Sequence, residues 1–476
     1  MTLDSILFIY LSMGKGKYKP GIPLSLLYLS GAIRETCRNI QIFDYNVSGN
    51  GDETLDKLLS EINPRIIGIN CLFSDNFPSV RRIAGRIKEN FPEIKIVIGG
   101  IHPTLYAREI MDNCPSIDAI VLGEGDTTFP LLVEYYLTEN GGGLLEKLDG
   151  VAVRVSDKIM YKEKTRYIHN LDDINRPGYE YFNLSQYRVD TTLMFNPKNI
   201  LINEVPMPLL TSRSCPNRCY FCAMRLVMGN SFRMHSAQRV FNEIKYLYDK
   251  FGINYFEIAD DNFAFNRQRA LDICNLIIKN KLNIYLHFFA GLMIRTLDDE
   301  VINALCSAGG IRFSLAVESG SDYIRNTILK KNCSKQKIVD TVNAFKKYNV
   351  LVNAFFIIGF PEETEETLNE TAELIDALNT DSIALNKLLP IPGTALFTQC
   401  LRDNLFCGNI DIDEMWKGDS EIYYTQLNKL RMTDFLIKPY QLEMDKLEDY
   451  NTKIEKIITQ KSAKTLRTML KKEKES

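Results

Sequence analysis

Ser214-Cys215-Pro216-Asn217-Arg218-Cys219-Tyr220-Phe221-Cys222 sets three cysteines within eight residues, in the spacing CxxxCxxC. Thiolates select iron–sulfur clusters or zinc. A closed structural site asks for four protein ligands, and this run offers three thiols with no fourth nearby. Three thiolates around a cubane leave one iron free to hold something else. The same residues also admit a zinc knuckle with a distant fourth ligand, or three unrelated core cysteines. Context has to separate these readings.

Outward from the motif, from about 207 to 390, short apolar runs alternate with amphipathic stretches. Strand candidates are Pro208 to Ser212, Tyr255 to Ala259, Ile284 to Ala290, Ile311 to Val317, Val352 to Ile358 and Ser382 to Leu388. Helical patterns lie between them, at Ala237 to Phe251, Arg267 to Lys279, Glu300 to Ala308, Lys335 to Tyr348 and Glu365 to Leu378. That alternation predicts parallel strands with crossover helices. Chemistry in such folds collects past the C-terminal ends of the strands. Those ends carry Cys215 to Cys222, Asp260-Asp261-Asn262-Phe263, Val317-Glu318-Ser319-Gly320, Ile358-Gly359-Phe360-Pro361-Glu362 and Pro390-Ile391-Pro392-Gly393-Thr394. Plainer readings stand beside these. Asp260 to Asn262 suits a helix-capping turn before Arg267, and Gly359-Phe360-Pro361 suits a strand-to-helix turn followed by a capping Thr364. Glu318 after an apolar strand is harder to dismiss, because a buried carboxylate needs a partner.

A second alternation fills residues 4 to about 138. Its strand candidates are Ile6 to Leu11, Ile40 to Asp44, Ile66 to Asn70, Ile94 to Ile98 and Ala119 to Leu122, with helices including Leu24 to Thr36, Thr54 to Ile62 and Ser79 to Phe91. The pattern is a five-stranded doubly wound sheet, whose ligands bind past the carboxyl ends of the strands. There the sequence reads Asp44-Tyr45-Asn46, Asn70-Cys71-Leu72-Phe73-Ser74, Gly99-Gly100-Ile101-His102-Pro103-Thr104 and Gly123-Glu124-Gly125-Asp126. Gly150 to Tyr161 reads as a hairpin turning at Ser156-Asp157-Lys158, and Leu171 to Gly178 as extended linker. Phe435 to Lys472 is rich in Lys, Glu and Leu at helical spacing, and Lys471 to Ser476 is expected to fray.

Composition narrows the class. The 476 residues suffice for two or three domains. A net charge of −3 gives no reason to expect nucleic-acid binding. No apolar stretch approaches the roughly 20 residues of a membrane span, and the start lacks the basic region of a secretory signal. Of 11 cysteines, eight lie outside the motif, scattered in mostly apolar patterns. Reduced core thiols in a reducing cytoplasm are the expectation. Cys400 and Cys407 alone follow the alternation that ends near 390, and they show no ligand-like cluster, so no auxiliary cluster is expected.

The cysteine run resembles the CxxxCxφC motif of the radical S-adenosylmethionine (SAM) enzymes, with Phe221 at the aromatic position. The resemblance implies a 4Fe-4S cluster on Cys215, Cys219 and Cys222, and an open iron that chelates SAM and yields a 5′-deoxyadenosyl radical. It implies SAM contacts at Phe221, at Asp260 or Asp261, at Glu318, and at Gly359 and Pro361. The family's glycine-glycine-glutamate is absent at the aspartates. The N-terminal runs resemble the cobalamin-binding domain fused to many such enzymes. Ser74, Gly99, Gly100, His102, Thr104, Gly123, Glu124 and Gly125 are then candidate cobalamin contacts. Asp-x-His-x-x-Gly, which supplies an axial histidine in corrinoid carriers, is absent, so cobalt ligation by His102 is not expected. A scaffold or substrate cover without corrin is the alternative for this domain.

The expected architecture is α/β. A doubly wound, Rossmann-like cobalamin-binding domain (1–140) precedes a hairpin and linker (141–200), a six-unit partial TIM-like barrel forming the radical SAM core (201–400) and a helical C-terminal region (401–476). The implied activity is class B, cobalamin-dependent methylation of an unactivated carbon or phosphorus centre. The implied partners are a small-molecule or natural-product substrate and an electron donor such as flavodoxin or ferredoxin. Alternatives are radical rearrangement, dehydration or cyclisation with an altered corrinoid role, and a non-enzymatic zinc-binding protein.

Overall fold

A computed structural model of the chain describes residues 5–11, 21–48, 51–138, 143–156, 158–190, 203–407, 412–418 and 435–475. They form two compact units. The first takes its residues from Met1–Val189, Met224–Asn230 and Asp411–Leu430, and the second from Asp190–Ala223, Ser231–Ile410 and Arg431–Ser476.

In the first unit, β1 (Ser5–Tyr10), β2 (Asn39–Asp44), β3 (Ile66–Asn70), β4 (Lys95–Gly99) and β5 (Ala119–Val121) run parallel in the order β2-β1-β3-β4-β5. Burial on both faces explains continuous apolar runs such as Ile66-Ile67-Gly68-Ile69. Gly68 is a packing requirement, since a Cβ there would stand 2.7 Å from the Phe8 ring. The hairpin β6 (Val151–Val155) and β7 (Lys158–Lys162) adds antiparallel to β5, making seven strands rather than the five expected. The hairpin is therefore part of the sheet and not a free linker. β5 is buried throughout, and an unpaired outer edge there would strand backbone N–H and C=O groups away from water. Asp157 of the expected turn lies outside the described residues.

The second unit is the six-unit partial barrel. β8 (Met207–Leu209), β9 (Tyr255–Ile258), β10 (Tyr285–Leu292), β11 (Gly310–Glu318), β12 (Leu351–Ile358) and β13 (Ser382–Lys387) are all parallel and pair in chain order. Phe288 stacks on Phe313 at 5.2 Å, and Phe313 meets Phe345 of helix Lys335–Lys346, so these rings face the helices. By alternation, His287 and Phe289 face the opposite, inner side. Side-chain caps start the helices. Ser236, Asn266, Asp298, Ser334, Thr364 and Thr394 each accept a backbone N–H three residues on, each contributing about 1 kcal/mol. The cap before Arg267 is thus Asn266, and Asp260 to Asn262 serve elsewhere.

Two boundaries differ from the sequence reading. The first barrel strand stops at Leu209, and Ser212–Arg213 pairs antiparallel with Arg233–Met234 in a separate ribbon. The C-terminal helix begins at Met444, not Phe435. Pro439 cannot continue a helix, and the chain before it forms a bridge between Phe406 and Ile437. No described helix is long and apolar enough to cross a membrane.

Candidate functional site

The cysteine loop of the second unit is anchored before it begins. Asp260, buried at the end of β9, accepts the Thr211 backbone N–H at 2.5 Å, the Thr211 hydroxyl at 2.6 Å and the Ser212 hydroxyl at 2.6 Å. Arg269 donates to the carbonyls of Thr211 and His235 at 2.7 and 2.6 Å. This bracket diverts the chain out of β8 and into the ribbon that leads to Cys215. It also commits both Asp260 oxygens to the protein, which leaves Asp261 as the member of the expected pair outside the bracket. Burial, and then Asp260, push the Asp261 carboxyl up to about 6.

Ser214 turns into the loop with φ +65°. Cys215 and Cys219 are half-buried and Cys222 is exposed. The Cys222 N–H donates to the Cys219 carbonyl at 3.1 Å. Burial pushes the Cys219 thiol up to about 11, while Lys331 draws it down and Glu318, Cys222 and Cys215 oppose ionisation. Burial likewise raises Cys215, with Asp261 adding to it, against the pull of the Asn217 backbone and Lys331. Among the described residues no three His, Cys, Asp or Glu side chains converge on a single-ion site. A cubane takes each thiolate on its own iron. Neighbouring thiols that sense one another, three and no fourth, fit that demand.

Two further rim turns meet this loop. Glu318 ends β11 at φ +70°, with a register shift beside it. A left-handed backbone on a non-glycine residue stores roughly 1–3 kcal/mol of strain and clusters at functional sites. The Glu318 carboxylate holds Lys331 Nζ at 2.7 Å. Phe221 packs edge-on against Phe360 at 6.1 Å, joining the cysteine loop to the turn Gly359-Phe360-Pro361. Gly359 has φ +95°, and a Cβ there would stand 2.8 Å from the Phe435 ring. Its N–H and that of Phe360 donate to Glu363 Oε2 at 2.6 and 3.1 Å. Complete burial lifts the Glu363 carboxyl to about 8.

Cys215, Cys219, Cys222, Phe221, Asp261, Glu318, Gly359 and Pro361 therefore belong to one neighbourhood, and Asp260 braces it from behind. Sequence reasoning missed Lys331 and Glu363, and took Asn262 only as part of a rim run or capping turn. A buried Glu318 calls for a cation, but nothing in Leu329-Lys330-Lys331 marks which lysine answers. Asn262 is buried with neither side-chain nitrogen nor oxygen hydrogen-bonded among the described residues.

In the first unit the candidate residues line the carboxyl edge of the sheet. Thr104 Oγ1 donates to the Gly100 carbonyl at 2.7 Å and accepts the Gly123 N–H at 3.0 Å, tying the two glycine turns together. Gly100, at φ +126°, lies against the Cys71 carbonyl, only 2.2 Å from where a Cβ would stand. A Cβ on Gly125 would meet Leu29 at 2.9 Å, whereas Gly99 has room for one. Burial lowers the Lys164 pKa, with Asp149 and then Glu124 pulling the other way.

His102 is buried between Phe77 and Tyr106, at ring distances of 4.8 and 4.9 Å. Its Nε2 is 2.9 Å from the Trp416 carbonyl, so Nε2 carries the proton and donates. Its Nδ1 then accepts from the Ser74 hydroxyl at 2.9 Å. Burial holds the ring neutral, with its pKa lowered to about 4. Both nitrogens are committed, so His102 acts by positioning the Ser74 and Trp416 segments. Beside Ser74, Asp75 keeps a buried Oδ1 with no partner among the described residues. A corrin carries peripheral amide N–H donors that suit such an acceptor, so this edge fits the group.

Comparison with known proteins gives a consistent result. Residues 18–133 match the B12 binding domain family, and residues 209–375 match the Radical SAM superfamily. A protein of Pyrococcus horikoshii named "uncharacterized methyltransferase PH0819" is 31% identical over 388 residues, covering 81% of this chain and 80% of that protein. The cytidylyl-2-hydroxyethylphosphonate methyltransferase of Streptomyces wedmorensis is 24% identical and covers 83% of each chain. The structure of the radical SAM methyltransferase TsrM from Kitasatospora setae superposes with a TM-score of 0.72 at 15% identity, covering 96% of this chain and 91% of that one.

Proposed function

Because this chain belongs to the family of radical SAM enzymes that carry an N-terminal B12-binding domain, we propose that it is a cobalamin-dependent methyltransferase acting on an unactivated carbon or phosphorus centre. The observation that carries the reading is a three-thiol loop at the rim of a partial barrel, in a chain whose other unit presents a corrin-suited sheet edge. When bound, the iron–sulfur cluster supplies the electron that breaks the SAM sulfonium bond, and the corrinoid supplies the methyl group.

The protein's own part is to hold and orient. Cys215, Cys219 and Cys222 would anchor the cluster. Asp261 and Glu318 offer carboxylates to the ammonium and ribose hydroxyls of SAM, and Lys331 offers a cation to its carboxylate. Gly359 keeps side-chain bulk away from the adenine, and Pro361 fixes the turn that follows. In the first unit, Ser74, Gly99, Gly100, Thr104, Gly123, Glu124 and Gly125 would shape the corrin site, with His102 as a brace. A small-molecule substrate and an external donor such as flavodoxin or ferredoxin complete the proposal. The buried free thiols suit a reducing cytoplasm.

A second reading has its own support. The anaerobic magnesium-protoporphyrin IX monomethyl ester cyclase of Cereibacter sphaeroides is 25% identical over 80% of this chain and 61% of that protein. A cyclisation therefore competes with methyl transfer. Anaerobic reconstitution, with iron and corrinoid counted and products analysed by mass spectrometry, tests both. Methylated product with deoxyadenosine supports the first reading, and cyclised product without added methyl replaces it. Cys219→Ala should abolish deoxyadenosine formation, and undiminished cleavage in that variant would remove the basis of both.

A further inference from the structure

Residues 412–418 lie more than 300 positions downstream of His102 in sequence, yet they belong to the first unit. Ile412–Lys417 forms a short 3-10 turn, with Met415 and Trp416 buried. Three contacts fix it to the loops that follow β3 and β4. The Trp416 carbonyl accepts the His102 Nε2–H at 2.9 Å. The Trp416 ring meets Phe77 at 6.3 Å. Gly418 lies so close to the Ser74 carbonyl that a Cβ would stand 2.0 Å from it, at φ +69°. His102 then relays the attachment to the Ser74 hydroxyl at 2.9 Å. The next residue, Asp75, carries the partnerless buried Oδ1.

We propose that Ile412–Gly418 is a clasp of the cobalamin site: through His102 and Ser74 it fixes the turn Ser74–Asn76, so that Asp75 Oδ1 is presented to an amide N–H of the corrin periphery. The inference rests on the cobalamin reading above and adds to it a distant segment and a defined acceptor. Doubly wound sheets bind ligands at the loops past the strand ends, and both clasped loops are of that kind. An acceptor held in place before binding keeps its full hydrogen bond, because no ordering of the loop has to offset it.

Gly418→Ala is the sharpest probe, since the added methyl strikes the Ser74 backbone without altering His102 or Asp75. Trp416→Ala loosens the same segment from the other side. Hydroxocobalamin binding, read from the visible corrin spectrum of the full chain, should weaken at least tenfold in both variants and in Asp75→Ala. Iron per chain after reconstitution should hold, as a check that the second unit is folded. His102→Gln keeps a donor for the Trp416 carbonyl and should restore more binding than His102→Leu, a difference that simple core packing would not produce. Unchanged affinity in Gly418→Ala or in Trp416→Ala, with iron retained, overturns the clasp while leaving the cobalamin assignment standing. Failure of the unaltered chain to bind hydroxocobalamin overturns the assignment itself, and the clasp with it.

Discussion

Lys331 Nζ stands 2.7 Å from Glu318 Oε1, and each side chain is 11% exposed, so the rim of the second unit holds a nearly dry ion pair beside the cysteine loop. Burial alone would weaken the lysine's hold on its proton. Glu318, with Cys219 and Cys215 adding to it, reverses that and raises the Lys331 pKa. Lys331→Met should leave Glu318 as an uncompensated buried charge, at a cost of about 3–5 kcal/mol. Lys331→Met combined with Glu318→Gln should recover most of the loss. Urea unfolding of the two variants measures this, and equal losses in both would dissolve the pairing argument.

The Asp260 bracket predicts an assembly defect rather than a catalytic one. Asn at 260 turns one acceptor oxygen into a donor facing the Thr211 and Ser212 side chains. Unmet buried hydrogen bonds of this kind cost roughly 1–3 kcal/mol each. Asp260→Asn should therefore lower iron incorporated per chain, with Ser212→Ala milder. Normal iron loading with lost SAM binding would instead place Asp260 in direct contact with SAM.

His102 makes the first unit acid-sensitive. Its pKa is about 4 when folded against an ordinary 6.5, so between those values the unfolded chain binds the extra proton. Stability from this residue is complete above pH 6.5 and is lost as pH falls toward 4, on the order of 3 kcal/mol in all. Unfolding followed against pH should show this slope, and His102→Gln should flatten it. An unchanged slope in the variant would assign the acid limb to other groups.

Glu363 acts at the other end of the scale. Its carboxyl sits at about 8 against 4.5 in the ordinary state, so its folded form prefers to stay neutral. Its contribution is intact below pH 4.5 and declines as pH rises through 8. Glu363→Gln keeps an acceptor for the Gly359 and Phe360 N–H groups and cannot ionise. It should unfold at a higher temperature than the unaltered chain at pH 9, and with little difference at pH 5. A variant less stable at both values would mean that the ionised form is the one the fold prefers.

Much of this was legible from local pattern. Alternating apolar runs located both sheets, because burial on two faces leaves an uninterrupted signature in residues such as Ile66 to Asn70. Thr364 announced its helix by chemistry alone. What could not be read was any role set by a distant partner. Asp260 looked like a ligand until Thr211 and Ser212 were seen to use both its oxygens, and His102 looked like a corrin contact until Trp416 was found on its far nitrogen. Lys331 carried no local mark, since the second of two adjacent lysines is ordinary until a carboxylate is buried beside it. The hairpin at Val151 read as a connector because strand pairing with β5 is invisible to periodicity.

The cysteine loop ends at Cys222, and two residues later the backbone passes into the first unit at Met224 and returns at Ser231, and the described residues 412–418 belong to the first unit again. Neither unit is thus a contiguous stretch that a single cut could release. An exchange of corrin modules between relatives that kept the whole first unit would have to transplant three separate pieces together.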